Sequence, residues 1–167
     1  MSGECDKCKD HCLKCICNDE NSAEINQPFP DIECKCVRCQ SMCHAPCCGT
    51  PEDIENLIKN GYASRLMLDD WQTSDCNADI IKPALKGSEL QLAPWEVSSI
   101  AGCTFWKNGL CELHDSGLKP CQGKMALHEM TEKEGDQIGA YIKRSWETEK
   151  AKEVINLWKE VVNFREE

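Results

Sequence analysis

Several ingredients of common protein classes are missing from this chain. No apolar stretch approaches the roughly 20 residues of a membrane-spanning helix, so a membrane partner is not expected. Basic charge is scarce, with 19 Lys and Arg against 29 Asp and Glu and a formal net charge of −10. No run of Lys and Arg forms the patch that phosphate-backbone binding needs, which argues against nucleic acid as a partner. Aromatics are few, at 5 Trp, 3 Phe and 2 Tyr. A phosphate-cradling glycine loop, a nucleophile motif and a carboxylate pair with a matching histidine are all lacking, so the residues point away from an enzyme. The opening residues Met1-Ser2-Gly3-Glu4 have neither the basic nor the apolar region of a secretory leader, and a cytoplasmic location is expected.

What the chain has in excess is cysteine: 15 in 167 residues. In a reducing compartment such density indicates metal ligands rather than disulfides, and the odd number and the vicinal Cys47-Cys48 pair agree. Eleven of the fifteen fall in the first 48 residues, in two successive clusters. The first is Cys5, Cys8, Cys12, Cys15 and Cys17. The second is Cys34, Cys36, Cys39, Cys43, Cys47 and Cys48. Gaps of two or three residues let a tight turn aim neighbouring thiolates at one ion, as in zinc and iron–sulfur sites. Large apolar side chains are sparse before Gly49, so a bound metal is expected to supply folding energy there, on the order of 10–16 kcal/mol for a structural zinc.

The remaining chain divides by its punctuation. Residues 18–31 are polar, end in Pro28-Phe29-Pro30 and read as a linker. Thr50-Pro51-Glu52-Asp53 is a helix start, Ile54, Leu57 and Ile58 form its core stripe, and Asn60-Gly61 ends it. A second short helix is expected from Ala63 towards Trp71, then a loop from Thr73 to Lys86 and a short strand through Leu90, Leu92 and Trp95. Asn108-Gly109 marks a two-residue hairpin turn between Cys103 and Cys111. With an ideal ladder those two cysteines lie on opposite faces, so a shared site needs a bulge or one cysteine outside the ladder. Thr131-Glu132-Lys133-Glu134 is a capping box, and apolar residues from Ile138 to Val162 recur at helical spacing. That pattern predicts one long helix, or two broken near Ser145 to Lys150, with a charged outer face open to solvent or to a partner protein.

The order Cys39-(x3)-Cys43-(x3)-Cys47-Cys48, Thr50-Pro51-Glu52-Asp53, Cys103-(x7)-Cys111 and Lys119-Pro120-Cys121 resembles the YkgJ-type cysteine-cluster family. That family is described as zinc- or iron-chelating and carries a CxxCxxCC signature. The resemblance covers roughly Cys36 to Gly123. It implies a core ligand set of Cys39, Cys43, Cys47, Cys48, Cys103, Cys111 and Cys121. This chain departs from it with gaps of three rather than two, and with Gln122 where the family often has Arg. The cluster from Cys5 to Cys17 lies outside it.

Seven thiols exceed the four that one tetrahedral zinc accepts, so two ions or some spare thiols are expected. Adjacent side chains point apart, which sends Cys47 and Cys48 to different ions or to different edges of a cluster. Zinc or iron is the expected metal, with an iron–sulfur cluster for electron transfer or redox sensing as the alternative. Cys8, Cys12 and Cys15 also match the triad spacing of radical S-adenosylmethionine enzymes, but the chain lacks the repeated strand–helix units of their barrel. Candidate ligands are thus Cys5, Cys8, Cys12 and Cys15 in the first cluster, Cys36, and the seven of the core set. His11, His44 and His114 stand near cysteines and read first as ordinary loop histidines. Cys76 reads as a small buried residue.

The expected architecture is α+β, mainly α: a small metal-stabilised domain with cysteine-rich N-terminal loops, a short β-hairpin and a long C-terminal helix or helix pair. Residues 1–31 form the N-terminal cluster and linker, and residues 32–167 the metal-binding domain. The expected role is to bind metal ions, either structurally or as cargo.

Overall fold

The computed structural model describes residue 39 and residues 42–73, 76–90, 101–125 and 131–163. The first cysteine cluster, with Cys5, Cys8, Cys12, Cys15 and Cys17, lies outside them, as do Cys34, Cys36, the linker and the expected strand at Leu92 and Trp95. Leu90 itself is in a turn, with φ 61°.

Helix and strand are mixed. In chain order the elements are a 3-10 turn (Met42–His44), α1 (Pro51–Lys59), a 3-10 turn (Ala63–Arg65), β1 (Leu66–Thr73), β2 (Cys76–Pro83), β3 (Trp106–Lys107), β4 (Leu110–Cys111), α2 (Cys121–Met125), α3 (Glu132–Ser145) and α4 (Glu149–Val162). β1 and β2 form an antiparallel ladder from Leu66↔Pro83 to Thr73↔Cys76. β3 and β4 form a second, minimal one.

α1 begins as its sequence dictates. The Thr50 side chain accepts from the Asp53 amide, Asp53 reaches back to the Thr50 amide, Pro51 occupies the first turn, and Asn60 caps the other end. Ile54, Leu57 and Ile58 are buried. The C-terminal segment is two helices. Thr131 and Glu134 close a capping box on α3, and Thr148 caps α4 through the Ala151 amide. The interruption between them places Trp146, whose indole Nε1 donates to the Gly49 carbonyl at 2.8 Å.

α4 packs against α1, and Lys150 bridges the two helices to Glu55 at 3.0 Å. Its apolar stripe of Ala151, Val154 and Trp158 is spent on the core, where Trp158 Nε1 donates to the Ala63 carbonyl at 2.9 Å. The core is continuous from these helices through Leu66, Ile80 and Ile81 to Phe105, Cys103 and Cys111.

Two expectations fail between Ala63 and Lys86. The expected helix is a single 3-10 turn that runs into β1, and the expected loop contains β2. Leu66, Met67 and Leu68 are all buried. A strand covered on both faces shows no period-two alternation, and a short apolar run is ambiguous between buried helix and buried strand. On β2 the alternation lasts only through buried Ala78, exposed Asp79 and buried Ile80, because Ile81 is buried as well.

Candidate metal centre

Three chain segments converge on the cysteines, and backbone hydrogen bonds lace them together. The first is the turn and extended stretch from Cys43 to Gly49. The second is the hairpin region from Gly102 to Leu113. The third runs from Lys119 to Gly123. The Cys103 amide donates to the His44 carbonyl at 2.8 Å, which docks the second segment on the first. The Gln122 amide donates to the Cys48 carbonyl at 3.1 Å, and the Cys48 amide returns to Gln122 Oε1 at 2.6 Å. Asp53 Oδ2 accepts from the Cys121 amide at 2.9 Å and from Thr50 at 3.0 Å, tying α1 to the start of α2.

The hairpin resolves the geometric problem set by Cys103 and Cys111. Asn108 and Gly109 have φ 51° and 84°, the positive pair that a type I′ turn requires. Cys111 lies in the ladder opposite Trp106, whereas Cys103 lies outside it, bridged to Leu85 beyond β2. Each cysteine then opens a turn of the same design. Trp106 donates to the Cys103 carbonyl at 2.9 Å, and His114 to the Cys111 carbonyl at 3.1 Å. Inside these turns the amides of Phe105 and Leu113 donate to the sulfurs of Cys103 and Cys111. Amide donors favour the thiolate over the thiol, because they stabilise charge on sulfur.

Cys39, Cys43, Cys47, Cys48, Cys103, Cys111 and Cys121 are placed, and none of the seven is in a disulfide. Their surroundings differ. Cys43 and Cys111 share a hydrogen bond. It holds Cys43 well below the ordinary thiol range, helped by Lys119, and pushes its partner Cys111 up. Cys47 and Cys103 lie within electrostatic reach of this pair. Burial raises both, and neighbouring sulfur charge raises them further, that of Cys103, Cys43 and Cys48 acting on Cys47 and that of Cys43 on Cys103. Cys48 looks elsewhere, towards Lys82 and Asp69, which form an ion pair across the β1–β2 ladder. Cys121 sits beside Asp53 and is pushed up to about 12 by burial and that carboxylate. Cys39 is buried.

Sequence reasoning singled out the thiols but gave no role to the residues that serve them. Lys119 is 3 % exposed, donates to the Cys43 sulfur and lies 3.3 Å from His114 Nδ1. Gly123 has no room for a side chain, since a Cβ there would lie 2.8 Å from the Cys47 sulfur and 3.1 Å from Lys119 Cε. His44 is exposed and packs edge-on against Trp106, with ring centroids 5.6 Å apart. The position of Lys119 one residue before Pro120-Cys121 was the only signal for it. For Gly123 there was none.

The donor set fits a borderline or soft ion, because it offers thiolates, backbone donors to those thiolates and one buried cation. As the side chains stand, no three His, Cys, Asp or Glu residues among those described are arranged around a common point. The arrangement is a hydrogen-bonded sulfur pair, with Cys47 and Cys103 near enough for sulfur charge to act between them and the pair. No protein-family model, curated protein or solved structure matches the chain.

Proposed function

We propose that this is a thiolate metal-binding protein in which Cys43, Cys47, Cys103 and Cys111 hold one zinc or iron ion, in a structural or metal-carrying role. The observation that carries the reading is the matched pair of turns at Cys103 and Cys111. Each aims a backbone amide at its own sulfur, and nothing in the packing of a buried apolar cysteine calls for that. Hydrogen-bonded sulfurs are also spaced much like two ligands of one tetrahedral ion, about 3.8 Å apart for bonds of 2.3 Å. A four-sulfur shell then requires the Cys47 and Cys103 side chains to turn towards the Cys43–Cys111 pair.

The reading agrees with the resemblance to the YkgJ-type family and narrows its seven-residue set. Cys48 borders Lys82 and Asp69 as well as Cys47, and Cys121 sits beside Asp53, so the proposed four-sulfur shell leaves both of them, together with Cys39, outside a single ion. Amide donors to sulfur suit iron–sulfur clusters as well as single ions. Anaerobic purification, elemental analysis and an absorption spectrum separate the two. Zinc without visible absorption supports the single-ion reading. Broad visible absorption that bleaches on reduction replaces it with a cluster. Absence of both metals, with the cysteines oxidised in pairs, overturns it. Deleting the residues before Asp31 is expected to leave the Cys43–Cys111 centre metallated.

A further inference from the structure

Lys119 is a cation that the fold has gone to some length to bury. Its stem lies against Gly123, its exposure is 3 %, and its ammonium group donates to the Cys43 sulfur and faces His114 Nδ1. A buried charge without partners is costly, so such a lysine persists where an opposite charge meets it. No carboxylate is paired with it among the described residues; its partners are a sulfur and an imidazole nitrogen. Asp115 stands behind the imidazole, 3.9 Å from His114 Nε2. Of these neighbours, the sulfur is the one that carries negative charge once a metal is bound.

We propose that Lys119 is the built-in counter-cation of the thiolate centre, holding Cys43 in place and offsetting the excess negative charge of a four-thiolate site. This rests on the metal-binding reading above. A divalent ion with four thiolates carries a net charge of −2, which is expensive to bury. Lys119 halves that excess at close range. It attracts the loaded centre more than it attracts a lone Cys43 thiolate, so it raises metal affinity. It also withdraws electron density from the Cys43 sulfur, so it slows attack by that sulfur on electrophiles. His114 is the positioning partner: its Nδ1 accepts from the ammonium and orients it, while its ring stays off the metal.

The test uses the full chain and compares wild type with Lys119→Met and Lys119→Arg. Cobalt(II) affinity is read by competition against a chelator of known affinity, from the sulfur-to-cobalt charge-transfer band. Alkylation of the zinc-loaded protein by iodoacetamide gives a second readout. The Met variant is expected to bind cobalt at least about tenfold more weakly, as outer-shell substitutions do, and to be alkylated faster. The Arg variant, which retains the charge, is expected to stay nearer wild type in both.

Equal affinity and equal alkylation in wild type and Met variant overturn the proposal. So does an Arg variant as impaired as the Met variant, because packing rather than charge would then be at work. If wild type shows no thiolate–cobalt band at all, the metal-binding reading itself fails, and the two failures are told apart. Thermal melts of the three proteins without added metal show whether a variant has lost its fold. Should the Met variant be unfolded, wild type against Lys119→Gln supplies the neutral comparison.

Discussion

Replacing Asp53 by alanine separates the scaffold from the thiolate centre. The Asp53 carboxylate accepts from the Thr50 amide at 3.0 Å and from the Cys121 amide at 2.9 Å. Both donors are part-buried, and a buried donor left without a partner costs about 1–3 kcal/mol. Water reaches the α1 N-terminus in part, which brings the expected loss for Asp53→Ala to about 2–4 kcal/mol, including the lost cap. Asparagine keeps an acceptor oxygen in the same place and removes a charge that burial disfavours, so Asp53→Asn is expected to lose less than half as much. Urea unfolding of wild type and both variants, at a fixed zinc concentration, gives these values. Because Cys121 lies outside the proposed four-sulfur set, the cobalt charge-transfer band of Asp53→Ala is expected to keep its shape. Equal destabilisation by Asn and Ala, or a band altered by either, would refute the reasoning.

Other consequences are as specific. Burial raises the Asp53 pKa above its unfolded value despite the two amide donors. The folded state thus holds the proton more tightly, and wild-type stability relative to Asp53→Asn falls as pH rises from 3.8 through the raised value; paired unfolding curves across the acid range check the sign. Gly123→Ala puts a Cβ 2.8 Å from the Cys47 sulfur, and overpacking of this kind is expected to cost about 1–3 kcal/mol and to weaken cobalt binding. Trp146→Phe leaves the Gly49 carbonyl without its indole donor at 2.8 Å, for a loss of about 1–2 kcal/mol in thermal or urea unfolding. Thr148→Ala removes the cap of α4, at about 1 kcal/mol, and leaves metal content unchanged.

Where local chemistry decided the structure, the sequence was readable. Thr50-Pro51, Thr131 with Glu134, and Asn108-Gly109 each act within a few residues, and each stands where its pattern predicts. The β1–β2 ladder was hidden because Leu66, Met67 and Leu68 are buried on both faces, so packing rather than periodicity makes them a strand. The site divides in the same way. Thiol positions were legible from spacing, but their grouping was not, because it depends on contacts such as Cys103 to His44 and Cys48 to Gln122 that join distant segments. Lys119 and Gly123 become visible only when Cys43 and Cys47 are placed beside them.

The central claim is that one ion is held by four particular thiols of the seven. It is tested most directly by zinc stoichiometry in full-length single Cys→Ala variants, measured by elemental analysis after gel filtration. Relative to wild type, Cys43→Ala, Cys47→Ala, Cys103→Ala and Cys111→Ala are each predicted to lose one equivalent of zinc, while Cys48→Ala and Cys121→Ala retain it. Loss of that equivalent in Cys48→Ala or Cys121→Ala, or its retention in all four of the others, would contradict the claim.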